Sequence, residues 1–326
     1  MTQSPQVRSA KCVLDVRARL GECPVWSVRE QVLYWVDIHA ARLHRFDPAR
    51  AHDTYIQFQE EIGCVGLRRG GGFIAGMRSG VWLLDADGRR EQMIEGSALD
   101  VATRRYNDGR CDRAGRFWVG TIYEPRDRAA AALYRIGPRV SARTDSGTKA
   151  EIKTGIEADD DVDFTCTQMR GDITVSNGLA FAPDDRTLYH SDTPAHALYA
   201  YDFDLAPGTL GKRRLVRNFP RKGENPVYGG RPDGAAIDAA GRYWSAQFEG
   251  GRILALDSHG AERAIVTVPA QRTTMCAFGG RDLRTLFITT ARDNQSGDDL
   301  RREPQSGGLF AVDLETPGLS EPVFSG

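Results

Sequence analysis

The sequence predicts an all-β fold, a six-bladed β-propeller. Three observations predict it: one strand-turn-strand pattern recurs six times, the copies are spaced like propeller blades, and no stretch carries convincing helical periodicity. Each copy opens on a turn built from Asp, Gly or Pro. A short β-branched or aromatic run follows, then a small-residue loop, then a second strand ending near Asp.

In chain order the copies read VREQVLYWVD with ARLHRFDP, GGGFIAGM with GVWLLDADG, and DRAGRFWVGT with AALYRIGP. They continue as PDDRTLYHSD with HALYAYDFD, DAAGRYWSAQ with GRILALDSHG, and GRDLRTLFIT with GGLFAVDLE. Anchored on Leu33, Phe73, Phe117, Leu188, Tyr243 and Leu286, neighbouring copies lie roughly 40 to 55 residues apart, with one gap of about 70. That is the repeat length of a four-stranded blade. One blade cannot bury both of its faces, so six must stack around an axis, and circular closure removes the open sheet edge. The segment near Cys12 to Val16 is expected to complete the last blade, beside Leu309 to Asp313. Residues 1–326 thus read as a single propeller domain. The long gap, approximately 138–175, reads as an inserted loop or hairpin between blades three and four. Its acids Asp159, Asp160, Asp161 and Asp163 lack the glycine and glutamate positions of an EF-hand and read as a solvated charge run.

Composition narrows the function classes. With 40% hydrophobic and 27% charged residues the chain can build a packed core. Lysine and arginine number 43 against 44 acids, so there is no basic excess to neutralise phosphates, and neither nucleic acid nor an anionic membrane is an expected partner. Met1 to Arg19 is polar and has no signal-peptide core, and no later stretch is apolar enough to span a bilayer. A cytoplasmic monomer is expected. The six cysteines occur without a CxxC pair and read as free, mostly buried thiols.

Four short motifs break the strand pattern: LGECPVW, RYNDGRCD, VSNGLAF and RPDGAAID. Each is expected to lie between repeats, just before a blade's first inner strand, where such connections converge on one mouth of the central channel. They supply Glu22, then Arg105, Asn107 and Asp108, then Asn177, then Asp233. The set is rich in hard oxygen donors and contains no histidine, and the six histidines show no HExxH or HxH spacing. Such donors suit calcium, magnesium or manganese at a central metal site. Each motif taken alone is also a turn signal: Asn-Asp-Gly, Asn-Gly and Asp-Gly occur in any β protein.

At these residues the chain resembles the senescence marker protein, regucalcin and gluconolactonase family. The match runs from LGECPVWSVREQVLYWVDI through RYNDGRCDRAGRFWVGT, SNGLAFAPDDRTLYHSDT and RPDGAAIDAAGRYWSAQFEGGRI to TTMCAFGGRDLRTLFITTAR. The resemblance implies one divalent metal, bound by Glu22, Asn177 and Asp233; calcium, zinc, manganese, magnesium and ferrous iron all stay open. It implies substrate contacts from Arg105 and Asn107, with Asn107 close to the metal. Family members often carry paired acids after the GT step of the third blade. Here the run is GTIYEPRD, which leaves Glu124, followed by Pro125, as the substrate-side acid. The expected function is hydrolysis of a sugar lactone, with Asp233 as general base. The alternatives are a metal-dependent esterase or organophosphate hydrolase, and a non-enzymatic calcium-binding regulatory protein.

Overall fold

A computed structural model of the chain describes residues 5–95, 100–138, 163–224 and 227–326. The strands form six sheets, each with four antiparallel strands at its heart, and their innermost strands touch one another in a closed ring: the six-bladed propeller. Those innermost strands are Gly21–Ser27, Ile62–Leu67, Arg104–Cys111, Ser176–Phe181, Arg231–Ile237 and Thr273–Gly279. Burial falls outward through each blade. In blade one the innermost strand GECPVWS is buried at every residue, whereas the outermost strand HDTYIQ is mostly exposed. The inner strand packs against neighbouring blades on both faces and so reads as a continuous buried run. The outer strand meets water on one side.

Aromatic side chains fill the wedges between blades. Trp118 of blade three lies edge-on to Phe181 and Phe203 of blade four, at 5.9 and 5.7 Å between ring centroids. Trp244 of blade five meets Phe278 of blade six in the same way. In both DRAGRFW and DAAGRYW the leading Asp is buried and holds the turn together. Asp112 accepts from Trp118 Nε1 at 2.8 Å, and Asp238 accepts from Trp244 Nε1 at 2.9 Å. Each also accepts the backbone N–H groups of its own turn, so the buried carboxylates are satisfied.

The ring closes as the sequence suggests. Lys11–Leu14 pairs antiparallel with Leu309–Asp313 and becomes the outermost strand of blade six. Just before it, Gln6–Ser9 lies parallel against Glu262–Thr267, a fifth strand on blade five. The chain start therefore ties the last two blades together.

Two expectations are corrected. The four motifs are not connections before the inner strands; they are the innermost strands, and the recurring copies form the second and third strands of each blade. Every innermost strand is irregular at one place: pairing with the second strand slips at Glu22/Val25, Ile62/Cys64, Tyr106/Gly109, Asn177/Ala180, Pro232/Ala235 and Thr273/Met275. These bulges explain why the motifs break the strand period. The long gap is also relocated. Ala131–Pro138 pairs with Phe164–Ile173, the fourth strand of blade three, so the insertion sits inside that blade rather than between blades three and four. Asp159, Asp160 and Asp161 lie outside the described residues; Asp163 is exposed.

Candidate metal and substrate site

The bulges turn side chains from successive inner strands toward one end of the channel. There they line a cavity of about 490 Å³ to which Glu22, Arg105, Asn107, Asn177 and Asp233 all contribute. Five residues drawn from four blades therefore meet at one point. Four of the five side chains form a continuous network. Arg105 Nη1 donates to Asn107 Oδ1 at 2.8 Å, and Asn107 Nδ2 donates to Asn177 Oδ1 at 3.2 Å. Asn177 Nδ2 donates to Asp233 Oδ1 and, at 3.0 Å, to Thr193 Oγ1. Glu22 folds back onto its own bulge, accepting from the Cys23 backbone N–H at 3.0 Å.

The electrostatics point to a cation. Glu22 and Asp233 are both buried, and among the described residues neither is paired with an arginine, lysine or histidine. Burial pushes the Asp233 carboxyl up to about 7. Burial first, then the charges of Asp233 and Asp108, pushes Glu22 well above the usual carboxylate range. Two buried like charges repel each other and are deprived of water, a cost that a dication between them removes. The donors also suit a hard ion, being carboxylates and side-chain amides in a set without thiolate or imidazole. In this network the Asn177 amide donates to Asp233; as a ligand it would offer its oxygen instead. Among the described residues no group of three or more His, Cys, Asp or Glu side chains could hold a metal, so a metal here would need an amide oxygen beside the two carboxylates.

Two residues singled out in the sequence fall elsewhere. Asp108 stands behind the lining, where its Oδ2 accepts from the Leu179 backbone N–H at 2.9 Å and ties blade three to blade four. Glu124 is exposed and is not part of the lining. It is paired with Arg78 at 2.9 Å, which lowers its pKa, and it lies 3.8 Å from Arg105 Nε. The lining residue from that loop is Arg126. Sequence reading missed Arg126, Thr193, His196, Arg231 and Arg272, all of which face the cavity. Only Arg231 carried a signal, as the first residue of RPDG; the others sit in turns or at strand ends with no repeating pattern.

A family model described as SMP-30/Gluconolactonase/LRE-like region matches residues 20–292, which is most of the chain and includes all four motifs. The chain belongs to the SMP-30/gluconolactonase/LRE-like family. Within it, the chain is 48% identical to a 6-deoxy-6-sulfogluconolactonase of Pseudomonas putida over 97% of this chain and 98% of that protein. A pentonolactonase, XacC, of Haloferax volcanii is 34% identical over 95% of this chain and 96% of its own length. In fold the family likeness extends to a calcium-binding protein, regucalcin, from Agrobacterium tumefaciens: TM-score 0.84 at 23% identity, covering 99% of each chain. All six cysteines are free thiols, four of them buried.

Proposed function

We propose that this chain hydrolyses sugar lactones to aldonic acids, using one divalent metal held by Glu22, Asn177 and Asp233. The observation that carries the reading is the pair of buried carboxylates, Glu22 and Asp233, neither in an ion pair among the described residues, sharing a cavity with Arg105 and Asn107. Relatives at 48% and 34% identity are named for lactone hydrolysis and support the reaction class. When bound, the cation supplies Lewis-acid polarisation of the lactone carbonyl and a more acidic water.

The chain's own residues do the rest. Asp233 accepts the proton of the attacking water, and the same proton then returns to the ring oxygen as the C–O bond breaks and the ring opens. Arg105 and Asn107 donate to the substrate's oxygens and fix its carbonyl against the site. Arg105 can do so because its guanidinium is buried and already oriented by the Asn107 amide and the Tyr106 carbonyl. Glu124 acts at one remove, as the nearby carboxylate that holds Arg105 in place. No protein nucleophile is needed. We further propose that the enzyme works as a monomer in the cytoplasm; its six free thiols support the reducing compartment.

A proton-release assay tests the reading, on chelator-stripped protein re-supplied with calcium, magnesium, manganese, zinc or ferrous iron. The panel holds glucono-, xylono-, arabinono- and galactonolactone, with a sulfonated gluconolactone added because of the Pseudomonas putida relative's name. Turnover that needs a metal is expected, together with a loss of about 100-fold or more in kcat for Asp233→Asn while metal binding is partly kept. Full activity in that variant removes the base assignment. No turnover with any metal on any lactone removes the function.

A further inference from the structure

Among the described residues, five arginines line the cavity, Arg19, Arg105, Arg126, Arg231 and Arg272, against four acids. If Glu22 and Asp233 are committed to the metal, the cavity's remaining acids are Glu249 and Asp293, with Glu124 outside the lining beside Arg105. Arg19 takes Asp293 at 2.9 Å, and Arg231 takes Glu249 at 2.9 Å. Arg105 is spent within the network already described. Two arginines have no carboxylate. Among the described residues the Arg272 guanidinium donates only to the backbone carbonyls of Asp293 and Asn294, the latter at 2.9 Å. The Arg126 guanidinium has neither a hydrogen bond nor an ion pair among the described residues, and its charge acts on Asp233 only at a distance.

One paired and one unpaired arginine flank the same ring. The guanidinium carbons of Arg231 and Arg272 lie 4.9 and 5.8 Å from the centroid of Phe248. His196 also lines this cavity, and it is 9% exposed with a buried Nδ1 that has no hydrogen-bond partner. A neutral sugar ring can be held by hydroxyl hydrogen bonds and has no need of uncompensated cations. A tetrahedral oxyanion, by contrast, accepts several N–H donors at once, and guanidiniums match it in charge and in spacing.

We propose that Arg126, Arg231, Arg272 and His196 form a subsite for a tetrahedral oxyanion on the exocyclic carbon of the lactone, a sulfonate or a phosphate monoester. The proposal rests on the lactonase reading and narrows its substrate class to anionic lactones.

The test compares the metal-loaded parent with Arg272→Gln and Arg126→Ala on three lactones: glucono-1,5-lactone, its 6-deoxy-6-sulfo analogue and its 6-phospho analogue. At least one anionic lactone is expected to exceed the neutral one in kcat/KM by about tenfold or more, mainly through KM. Each variant should cut that preference by about fivefold or more, and added salt should weaken it in the parent. The better of the two anionic lactones identifies the oxyanion. An equal kcat/KM for neutral and anionic lactones overturns the subsite alone, as does an anion preference that both variants keep. No turnover on any lactone overturns the lactonase reading instead, so the two failures are distinct.

Discussion

At the scale of single residues, the site is a stored electrostatic conflict. Asp233 is a carboxyl whose buried position raises its pKa from 3.8 to about 7. In the folded chain stripped of metal it therefore holds a proton through a pH range in which the unfolded chain has released it. The sign follows: the stabilisation is complete below pH 4 and is lost as pH rises toward and through 7. Chelator-treated protein should accordingly melt at a lower temperature at pH 7.5 than at pH 5.5, and added metal should restore the melt at pH 7.5. Asp233→Asn removes the ionisable group, so the metal-free variant should melt higher than the metal-free parent at pH 7.5. Melting curves at the two pH values, with and without metal, decide this; a variant that melts below the parent at pH 7.5 sinks the account. Much of the site was legible at this scale. Glu22, Asn107, Asn177 and Asp233 sit in four short motifs that break the repeating strand pattern, and such motifs stand out in one sequence. Arg126, His196 and Arg272 did not stand out, because an arginine or histidine at a turn or strand end looks like any solvated residue until the fold shows which way it faces.

At the scale of elements, the innermost strands do the positioning, and their bulges make it possible. Asn177 and Asp233 come from adjacent blades, and Gly178 lies between them. Its φ of +62° is in the left-handed region, and a Cβ there would fall 2.2 Å from Tyr243 Oη and 2.9 Å from the Asp233 backbone oxygen. Tyr243 in turn donates to the Gly178 carbonyl at 2.8 Å, so the contact cannot relax without breaking a buried hydrogen bond. Gly178→Ala should destabilise the fold by about 3 kcal/mol and weaken metal binding by about tenfold or more, because the strain bears on the backbone that carries Asp233. Calorimetric titration of the folded variant measures the second effect; unchanged metal affinity refutes the link between bulge and site. The repeat pattern made the second and third strands of every blade readable. It misled about the innermost strands because bulges disguise their period. It misplaced the long insertion because the fourth strand of blade three, FTCTQMRGDI, is mostly half-exposed and polar and lacks the turn punctuation of the other copies.

At the scale of the whole molecule, a ring of blades needs closing in two senses, around its circumference and across its unused end. The N-terminal strands provide the first. The second comes from the last dozen residues, which cross the end of the channel opposite the site. Gly318 donates to the Leu283 carbonyl of blade six, Phe324 to the Leu67 carbonyl of blade two, and Ser325 to the Gly115 carbonyl of blade three. Midway, Glu321 meets Arg110 at 3.0 Å, with side chains only 12% and 8% exposed. Arg110 lies on the same strand as Arg105 but at its other end, and it also donates to the Ala235 carbonyl of blade five at 2.9 Å. Removing Glu321 leaves a buried guanidinium short of its counter-charge, which costs about 3 to 5 kcal/mol, whereas replacing both partners by apolar residues of similar volume is often close to neutral. Glu321→Ala should therefore lower the melting temperature by several degrees, and Arg110→Met combined with Glu321→Leu should recover most of the loss. Lactone turnover at low temperature should be retained in Glu321→Ala, since the pair sits at the far end of the channel from Asp233. If that variant melts with the parent, the tail is not a structural closure; if it stays folded but loses turnover, the two ends of the channel are coupled through the inner strand that carries both arginines.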